Sequence, residues 1–404
     1  MVVGLENTLI DACGWTAALV LGFWILLGLD RKRWWPVDST LPAIGSRPLR
    51  GEDARGRVAV IVPARNEAEF IPRTLPALLR QSGSFSVLAL VDDRSDDGTA
   101  AAAGAAIRTS AEPAKARVIA GEPPPPGWSG KLSALRAGLE AAMHVSPGPD
   151  GGLEWILFTD ADILHPESSI DRLLEKAVEG PYDLVSIMAR LRARSFWERL
   201  LVPPFLWFFQ LLYPFRRVAD PRSRVAAAAG GCVLVRRSVL ERAGGLEGIR
   251  GEVIDDVALA MSVQRAGGRL WLGLDPGVES LRAYESLGDI VDLVARTAFT
   301  ELRHSAVRLA LTLASLAIFF VSPPVLVALG ALTGRPALWA PALAAWVIQA
   351  ALYLPAVRHA RVSPLVAATL PLATLLYAYM TAVSAWRHWR GRGAKWKGRT
   401  YAGR

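Results

Sequence analysis

Four apolar segments near the two ends of the 404-residue chain constrain its fold most strongly. They comprise residues 9–29, 309–332, 337–357 and 364–386. Each has roughly the 20 residues that a helix needs to cross the hydrocarbon core of a bilayer. We therefore predict an N-terminal transmembrane anchor over residues 1–30 and a C-terminal transmembrane region with three apolar segments over residues 309–386.

The first apolar segment is followed by a basic cluster, Arg31-Lys32-Arg33. A cleaved signal peptide is the competing interpretation. The extreme N-terminus, however, contains Glu6 and no Lys or Arg, and no small-residue cleavage site follows the segment. We favour an uncleaved anchor. The positive-inside rule then predicts that the domain after the cluster is cytoplasmic.

The C-terminal tail, residues 387–404, carries seven Lys or Arg and no acidic residue. Such a tail is expected in the cytoplasm, near anionic lipid. Three crossings after a cytoplasmic domain would instead place it on the other side. Either one segment is re-entrant, with breaks at Pro323-Pro324 or Pro371, or the orientation rule fails for the tail.

The tail and the Arg-rich flanks supply most of the net charge of +9. We expect a membrane and no nucleic-acid partner, since no nucleic-acid motif accompanies the charge.

The central part of the chain alternates between strand and helix patterns. Two apolar strands, residues 58–63 and 87–91, each run into a polar loop and then a helix, and a third strand is predicted at 116–120. This repetition predicts parallel βα units and an α/β fold. Residues 31–56, rich in Pro, Gly and charge, are expected to be a linker, and residues 57–288 the folded domain.

An apolar run, residues 155–159, stops at two acids, Asp160 and Asp162. The run does not alternate with polar residues, as expected of a strand covered on both faces. Ligands in open α/β sheets bind beyond the carboxyl ends of such strands. Two carboxylates there suit a hard divalent cation. A plain turn or a helix N-cap is the alternative.

Three further sites contain residues suited to ligand chemistry. Lys131 follows Gly127-Trp128-Ser129-Gly130 at a predicted helix start, which favours phosphate, although a capped helix with a solvated Lys would look the same. Gly230-Gly231 allows close approach of a ligand to the backbone. Asp255-Asp256 enters another helix, where the acids are either caps or a general base.

Two further apolar segments complete the pattern. Residues 201–215 are apolar, short and Pro-interrupted, which favours a helix that dips into the membrane or lines a ligand site over an ordinary buried helix. Residues 289–308 are predicted to form one amphipathic helix at the membrane interface, with a stripe of Arg296, Thr300 and Arg303. The stripe faces either lipid headgroups or a bound diphosphate. The two cysteines support neither a disulfide framework nor a zinc site.

Five motifs in this order resemble those of inverting family 2 glycosyltransferases of the GT-A fold, a Rossmann-like nucleotide-diphospho-sugar transferase domain. They are Val60-Ile-Val-Pro-Ala-Arg-Asn-Glu67, Val91-Asp-Asp-Arg-Ser-Asp-Asp-Gly-Thr99, Gly127-Trp-Ser-Gly-Lys131, Asp160-Ala-Asp162 and Asp255-Asp256. The resemblance covers essentially the whole chain. It is most specific to membrane-bound glycosyltransferases associated with hopanoid (hopene) biosynthesis, which implies the bacterial inner membrane.

The resemblance implies a role for each matching residue. Asp160 and Asp162 would bind Mg²⁺ or Mn²⁺ bridging the donor diphosphate, and Asp256 would deprotonate the acceptor. The family usually has Glu-Asp where this chain has Asp-Asp, so Asp255 stays a candidate base. Gly230, Gly231, Arg296 and Arg303 are candidates for acceptor or diphosphate contacts. The residues expected to bind the nucleotide-sugar are Pro63, Arg65, Glu67, Asp92, Asp93, Lys131 and Asp160.

One motif of the wider family is missing. Processive synthases and ceramide glucosyltransferases have Gln/Arg-x-x-Arg-Trp, whereas residues 296–304 have no Trp in register. This favours transfer of one sugar, from a UDP-sugar, to a membrane lipid such as a hopanoid or another isoprenoid. A processive polysaccharide synthase and a non-catalytic membrane scaffold are the alternatives.

Overall fold

The computed structural model describes residues 2–29, 40–41, 57–81, 83–145, 152–391, 395–396 and 399–400. Two compact units make up the chain. The sheet unit covers residues 37–192, 213–283 and 395–404, and the helical unit covers residues 1–36, 193–212 and 284–394. The α-helices are α1 Val2–Leu29, α2 Ile71–Leu79, α3 Thr99–Arg108, α4 Gly130–Val145, α5 Ser169–Glu179, α6 Phe196–Leu212, α7 Phe215–Ala219, α8 Arg237–Arg242, α9 Asp255–Arg265, α10 Leu287–Ala295, α11 Ala298–Glu301, α12 Ala306–Ser315, α13 Ser322–Leu332, α14 Pro336–His359 and α15 Leu370–Trp389.

An eight-stranded mixed sheet forms the centre of the sheet unit, in the order β3-β2-β1-β4-β7-β6-β8-β5. The strands β3, β2, β1 and β4 are mutually parallel, and β7 runs antiparallel to β4. The predicted βα units and the predicted third strand are therefore confirmed. The strands are β1 Val58–Ala64, β2 Val87–Asp92, β3 Ala116–Ala120, β4 Trp155–Thr159, β5 Ile163–Leu164, β6 Leu184–Arg190, β7 Cys232–Arg236 and β8 Leu270–Ser280.

Apolar packing fixes the strands and helices that carry the site. Every residue of β1 and β4 is buried, so both strands are covered on both faces. Helix α4 lies very close to the sheet at Gly138, where an added Cβ would stand 2.6 Å from Cγ2 of Ile61. The lack of a side chain at Gly138 therefore lets α4 pack closely against β1.

Four helices among the described residues are long and apolar enough to cross a membrane. They are Ala12–Leu29, Ala306–Leu332, Pro336–His359 and Pro364–Trp389, close to the four predicted segments. The second contains a π-helical turn at Leu316–Val321, before Pro323 and Pro324. Re-entrance and the side of the tail stay predictions.

The prediction of one amphipathic helix over residues 289–308 is wrong. Helix α10 ends at Ala295, α11 ends at Glu301, and Arg303 and His304 both adopt positive φ, 52° and 55°. A new helix, α12, starts because the Ser305 hydroxyl accepts the Arg308 N–H as its N-cap. Arg296, Thr300 and Arg303 consequently do not share one helical face.

Helix α6 corresponds to most of the apolar stretch 201–215 and belongs to the helical unit. Its first turn is fixed by the buried Glu198 carboxylate, which accepts the N–H groups of Arg194, Ser195 and Tyr284. Leu201 packs in one buried cluster with Ile290 of α10 and Met380 of α15, among others.

Parts of the predicted linker and tail lie outside the described residues. Within the linker, Thr40 forms an isolated bridge with Leu274 of β8, and the Leu41 N–H donates to the Leu274 carbonyl. Leu41 is buried in the sheet core, so this point of the linker is anchored to the sheet unit. In the tail, Lys395–Trp396 pairs antiparallel with Arg399–Thr400.

Candidate active site

The carboxyl end of β4 and the chain before β7 form the floor of the candidate site. The Thr159 hydroxyl donates to the Gly231 carbonyl at 2.9 Å, and the Asp160 N–H donates to the same carbonyl at 3.3 Å. These bonds bring the acidic motif of β4 next to Gly230-Gly231. The prediction that Asp160 follows a buried strand is confirmed.

Lys131 lies in the first turn of α4 and reaches into this floor. Its Nζ lies 3.0 Å from Asp160 Oδ1 and 3.4 Å from Asp255 Oδ2. Only 14% of the Lys131 side chain is exposed, so it is not a solvated surface lysine. Desolvation opposes its charge, but Asp160, Asp255 and Asp256 together raise the pKa of Lys131 above its ordinary value.

Asp256 and Asp255 differ in environment although they are neighbours in the first turn of α9. Asp255 pairs with Lys131. The Asp256 carboxylate accepts the Gly230 N–H at 2.7 Å and the Val257 N–H at 2.8 Å. Desolvation, followed by the negative charge of Asp255, raises the pKa of Asp256 to about 6, while Lys131 and the two N–H groups oppose the shift. A carboxylate with such a pKa can take up a proton near neutral pH.

Gly230 leaves just enough room for these side chains. A Cβ at this position would stand 3.2 Å from Lys131 Nζ and 3.3 Å from Asp256 Oδ2. At Gly231, a Cβ would stand 3.1 Å from Cδ1 of Ile163. Gly230 therefore lies beside Lys131 and Asp256, whereas Gly231 lies against Ile163.

Replacing Gly230 by Ala is expected to lower kcat/KM for any reaction at this site by about 10- to 100-fold, because the new methyl group displaces Lys131 or Asp256 by a few tenths of an ångström. Steady-state kinetics and thermal unfolding would measure this. Gly83→Ala is the control, because a Cβ there meets nothing within 4 Å. Equal loss in both variants would contradict the interpretation.

Asp162 is held by the end of β8, far away in the sequence. Its Oδ2 accepts the Ser280 hydroxyl at 2.6 Å and lies 3.4 Å from Arg282 Nε. The Arg282 guanidinium also donates to both Glu67 carboxylate oxygens, at 2.6 and 2.9 Å. Neither Ser280 nor Arg282 was predicted. No motif marks them, and only the pairing of β5 with β8 brings them to Asp162.

The predicted nucleotide residues surround the ends of β1 and β2. Arg65 donates to the Asp93 carbonyl at 2.8 Å and its guanidinium lies 3.8 Å from the Asp93 carboxylate. Pro63, near the end of β1, is paired in register with Val91. Asp92 presents a buried Oδ1 with no hydrogen-bond partner among the described residues. Buried acceptors of this kind are rare, so Asp92 is suited to receive a ligand donor.

The acidic set fits a divalent cation. Four carboxylates, those of Asp160, Asp162, Asp255 and Asp256, surround Lys131 and Arg282, which leaves an excess of negative charge. Desolvation raises the pKa of Asp160 against the opposing charge of Lys131, and the charge of Asp162 adds to the rise. In the described part of the chain no ready cage of three or more acidic, His or Cys side chains occurs. Mg²⁺ and similar ions need only one or two carboxylates beside substrate phosphates.

Arg296 and Arg303 lie in the helical unit, the first directly after α10 and the second in the turn before α12. Their predicted contacts with acceptor or diphosphate stay predictions.

Comparison with known proteins relates the central part of the chain to one family. Residues 59–244 match the family described as Glycosyl transferase family 2. The match therefore runs from β1 to the residues just after α8 and covers less than half of the chain. A mannosyltransferase from Pyrobaculum calidifontis, solved with GDP-Man and Mn²⁺, is 19% identical, with a TM-score of 0.50 over 93% of this chain and 99% of that chain. This likeness supports the predicted GT-A fold.

Two curated relatives match part of the chain. Both are undecaprenyl-phosphate 4-deoxy-4-formamido-L-arabinose transferases. The protein from Pseudomonas aeruginosa is 31% identical over 191 residues, 46% of this chain and 48% of its own length. That from Sodalis glossinidius is 30% identical over 147 residues, 35% of this chain and 40% of its own length. The chain thus spans about half the length of the curated relatives it matches.

Proposed function

We propose that the protein is an inverting, metal-dependent glycosyltransferase that moves one sugar from a UDP-sugar to a membrane lipid. The observation that carries the proposal is the set of acids around Lys131, at the start of α4, with Asp256 enclosed beside it. Nucleotide-sugar transfer requires a positive charge, a metal-binding group and a general base. Lys131, the two acids Asp160 and Asp162, and Asp256 are suited to these three roles.

The nucleotide end of the donor is proposed to lie at the ends of β1 and β2. Asp92 offers its unpartnered Oδ1 to an N–H or O–H of the base or ribose. Asp93 holds Arg65 in place, and Arg282 holds Glu67, so both side chains are positioned before a ligand arrives. Pro63 shapes the chain at the end of β1.

The diphosphate end is proposed to lie between Lys131 and the Asp160-Ala-Asp162 motif. Asp160 and Asp162 would hold Mg²⁺ or Mn²⁺, which neutralises charge on the departing diphosphate when bound. The Lys131 ammonium and the N-terminus of α4 would both face the oxygens of the donor diphosphate. Asp255 keeps Lys131 in this position through the 3.4 Å ion pair.

Asp256 is proposed to be the general base. The acceptor hydroxyl gives its proton to the Asp256 carboxylate as its oxygen bonds to the anomeric carbon, and the bond from that carbon to the diphosphate oxygen breaks on the opposite face. This in-line displacement inverts the anomeric centre. The N–H groups of Gly230 and Val257 fix the carboxylate, and Gly230 keeps the space beside it open.

The acceptor is proposed to be an isoprenoid membrane lipid. The relatives named for undecaprenyl phosphate support a lipid carrier, and the four apolar helices support a membrane location. The resemblance to hopanoid-associated enzymes favours a hopanoid, with a polyprenyl phosphate as the second candidate. We propose that the sheet unit faces the cytoplasm of a bacterial inner membrane, because Arg31-Lys32-Arg33 follows α1.

Incubating the purified full chain with labelled UDP-sugars and membrane lipid extract tests the donor and the metal together. We expect label in the lipid fraction with Mg²⁺ or Mn²⁺ and none with EDTA, and a product of one sugar per lipid. Long products would favour a processive synthase. Absence of transfer and of UDP-sugar binding with Mn²⁺ would favour a scaffold and contradict the proposal.

The pH dependence of kcat/KM follows from the raised pKa of Asp256. The base must be deprotonated, so kcat/KM is expected to fall as pH falls through about 6. In Asp255→Asn the neighbouring negative charge is removed, which lowers the pKa of Asp256 and moves this fall to lower pH. A pH profile with the same acid limb in both proteins would contradict the assignment.

A further inference from the structure

A group of buried polar side chains lies within the helical unit. It consists of Trp207 and Gln210 on α6 and Gln349 and Tyr353 on α14, with relative exposures of 0–3%. The rings of Trp207 and Tyr353 meet edge-on with centroids 6.0 Å apart. Trp207 and Gln210 are three residues apart on α6, and Gln349 and Tyr353 are four residues apart on α14. The two members of each pair therefore share one face of their helix. We refer to these four residues as the polar cluster.

Five polar atoms of the polar cluster have no hydrogen-bond partner in the described part of the chain. They are Nε1 of Trp207, Oε1 and Nε2 of Gln210, Oε1 of Gln349 and the hydroxyl of Tyr353. Buried polar atoms normally find partners, since desolvation without compensation is unfavourable. Helix α14 is apolar enough to cross a membrane, where polar residues usually mark a ligand or ion path.

The orientation of Gln349 is fixed by the π-helical turn Leu316–Val321. The Gln349 Nε2 donates to the Phe320 carbonyl at 3.3 Å, and the Trp24 indole N–H donates to the neighbouring Phe319 carbonyl at 2.8 Å. The Phe320 carbonyl can only accept a hydrogen bond, so the amide group of Gln349 must turn its nitrogen toward it. The amide oxygen of Gln349 is then the atom available to a ligand. Such π-turns frequently accompany functional sites.

The chemistry of the polar cluster selects an uncharged ligand group. Trp207, Tyr353 and the Gln210 amide nitrogen can donate hydrogen bonds, whereas the oxygens of Gln210 and Gln349 accept them. A hydroxyl group both donates and accepts hydrogen bonds, so it can bind a donor and an acceptor of the polar cluster at once. None of the four side chains carries a positive charge, which a buried phosphate would require. The aromatic rings of Trp207 and Tyr353 suit a hydrocarbon skeleton next to the hydroxyl.

We propose that the polar cluster is a lipid-binding site that holds the uncharged hydroxyl group of a membrane lipid. The site belongs to the helical unit and does not depend on the transfer chemistry proposed for the sheet unit. Its occupancy is measured by binding alone, so its failure and the failure of the proposed transferase activity are separate results.

Thermal unfolding of the full chain in detergent, with geranylgeraniol as the probe, tests the site. We expect the alcohol to raise Tm more than its methyl ether, which cannot donate a hydrogen bond, and more than geranylgeranyl phosphate. Equal shifts with alcohol and ether, a larger shift with the phosphate, or no shift with the alcohol would each overturn the proposal.

Variants of the polar cluster sharpen the test. Tyr353→Phe and Gln210→Leu remove unpartnered polar atoms, so the ligand-free Tm should stay equal or rise, while affinity for geranylgeraniol falls about tenfold for each hydrogen bond lost. Tyr377→Phe is the matched control, because the Tyr377 hydroxyl already donates to the Leu201 carbonyl at 2.7 Å. This control should lower the ligand-free Tm and keep the response to the alcohol. Retention of the full response in Tyr353→Phe and Gln210→Leu would overturn the proposal.

Discussion

Replacing Asp256 by Asn is expected to lower kcat for sugar transfer by about 10²- to 10⁴-fold, the range of general base catalysis. Asn keeps the shape of Asp, and its single amide oxygen can still accept one of the two N–H groups, that of Gly230 or that of Val257, which donate to different oxygens of Asp256. Thermal unfolding would check that the first turn of α9 remains folded. Asn cannot take a proton from the acceptor hydroxyl. Binding of the nucleotide-sugar, measured by calorimetry, should therefore change little while kcat falls.

The exposed Asp220 provides a matched control for this substitution. Its carboxylate also accepts a backbone N–H, that of Arg222 at 2.9 Å, but it lies in a loop after α7. Asp220→Asn should keep full activity and stability. If Asp256→Asn retained more than about a tenth of wild-type kcat, Asp256 could not be the base, and Asp255→Asn would become the variant to examine.

Replacing Asp162 by Asn is expected to reduce metal-stimulated transfer by about 10³-fold, because the ion supplies several kcal/mol of charge stabilisation to the leaving group. The amide removes the negative charge but can still accept the Ser280 hydroxyl. Arg282 keeps its two hydrogen bonds to Glu67. Weakened Mn²⁺ binding in the presence of UDP, followed by electron paramagnetic resonance, would separate a metal defect from misfolding.

Ser280→Ala is the control for Asp162→Asn. It removes the 2.6 Å hydrogen bond to Asp162 and leaves the charge, so activity should fall less than about tenfold. Should Asp162→Asn bind Mn²⁺ and transfer sugar as well as Ser280→Ala does, the metal would not be held by Asp162.

Local sequence patterns predicted the parts of the site that are close in sequence. The apolar run 155–159 and the two following acids form a strand end and its loop, and Lys131 and Asp256 each stand in a first helical turn. Such features depend on a few adjacent residues. The meeting of Lys131 with Asp160 and Asp255 was not derivable from spacing, because it depends on the order of the strands in the sheet.

Residues that act across long separations escaped prediction. Arg282 contacts Glu67, 215 residues earlier in the sequence. A single basic residue after a strand belongs to no recognisable local motif, so its role could not be predicted. The break between α10 and α12 was missed for another reason. Apolar spacing continued through residues 289–308, whereas the Ser305 cap and the positive φ of Arg303 override that periodicity. A helix cap or a left-handed turn depends on one or two residues. The apolar periodicity of a 20-residue segment is insensitive to such residues.

The central claim, that this protein glycosylates a membrane lipid, is tested most directly by mass spectrometry of the membrane lipids of one bacterial host. The host would express either the wild-type chain or Asp256→Asn at equal levels. We predict a lipid species heavier by one sugar residue with the wild type and its absence with Asp256→Asn. Identical lipid profiles, or the same new species in both strains, would contradict the account.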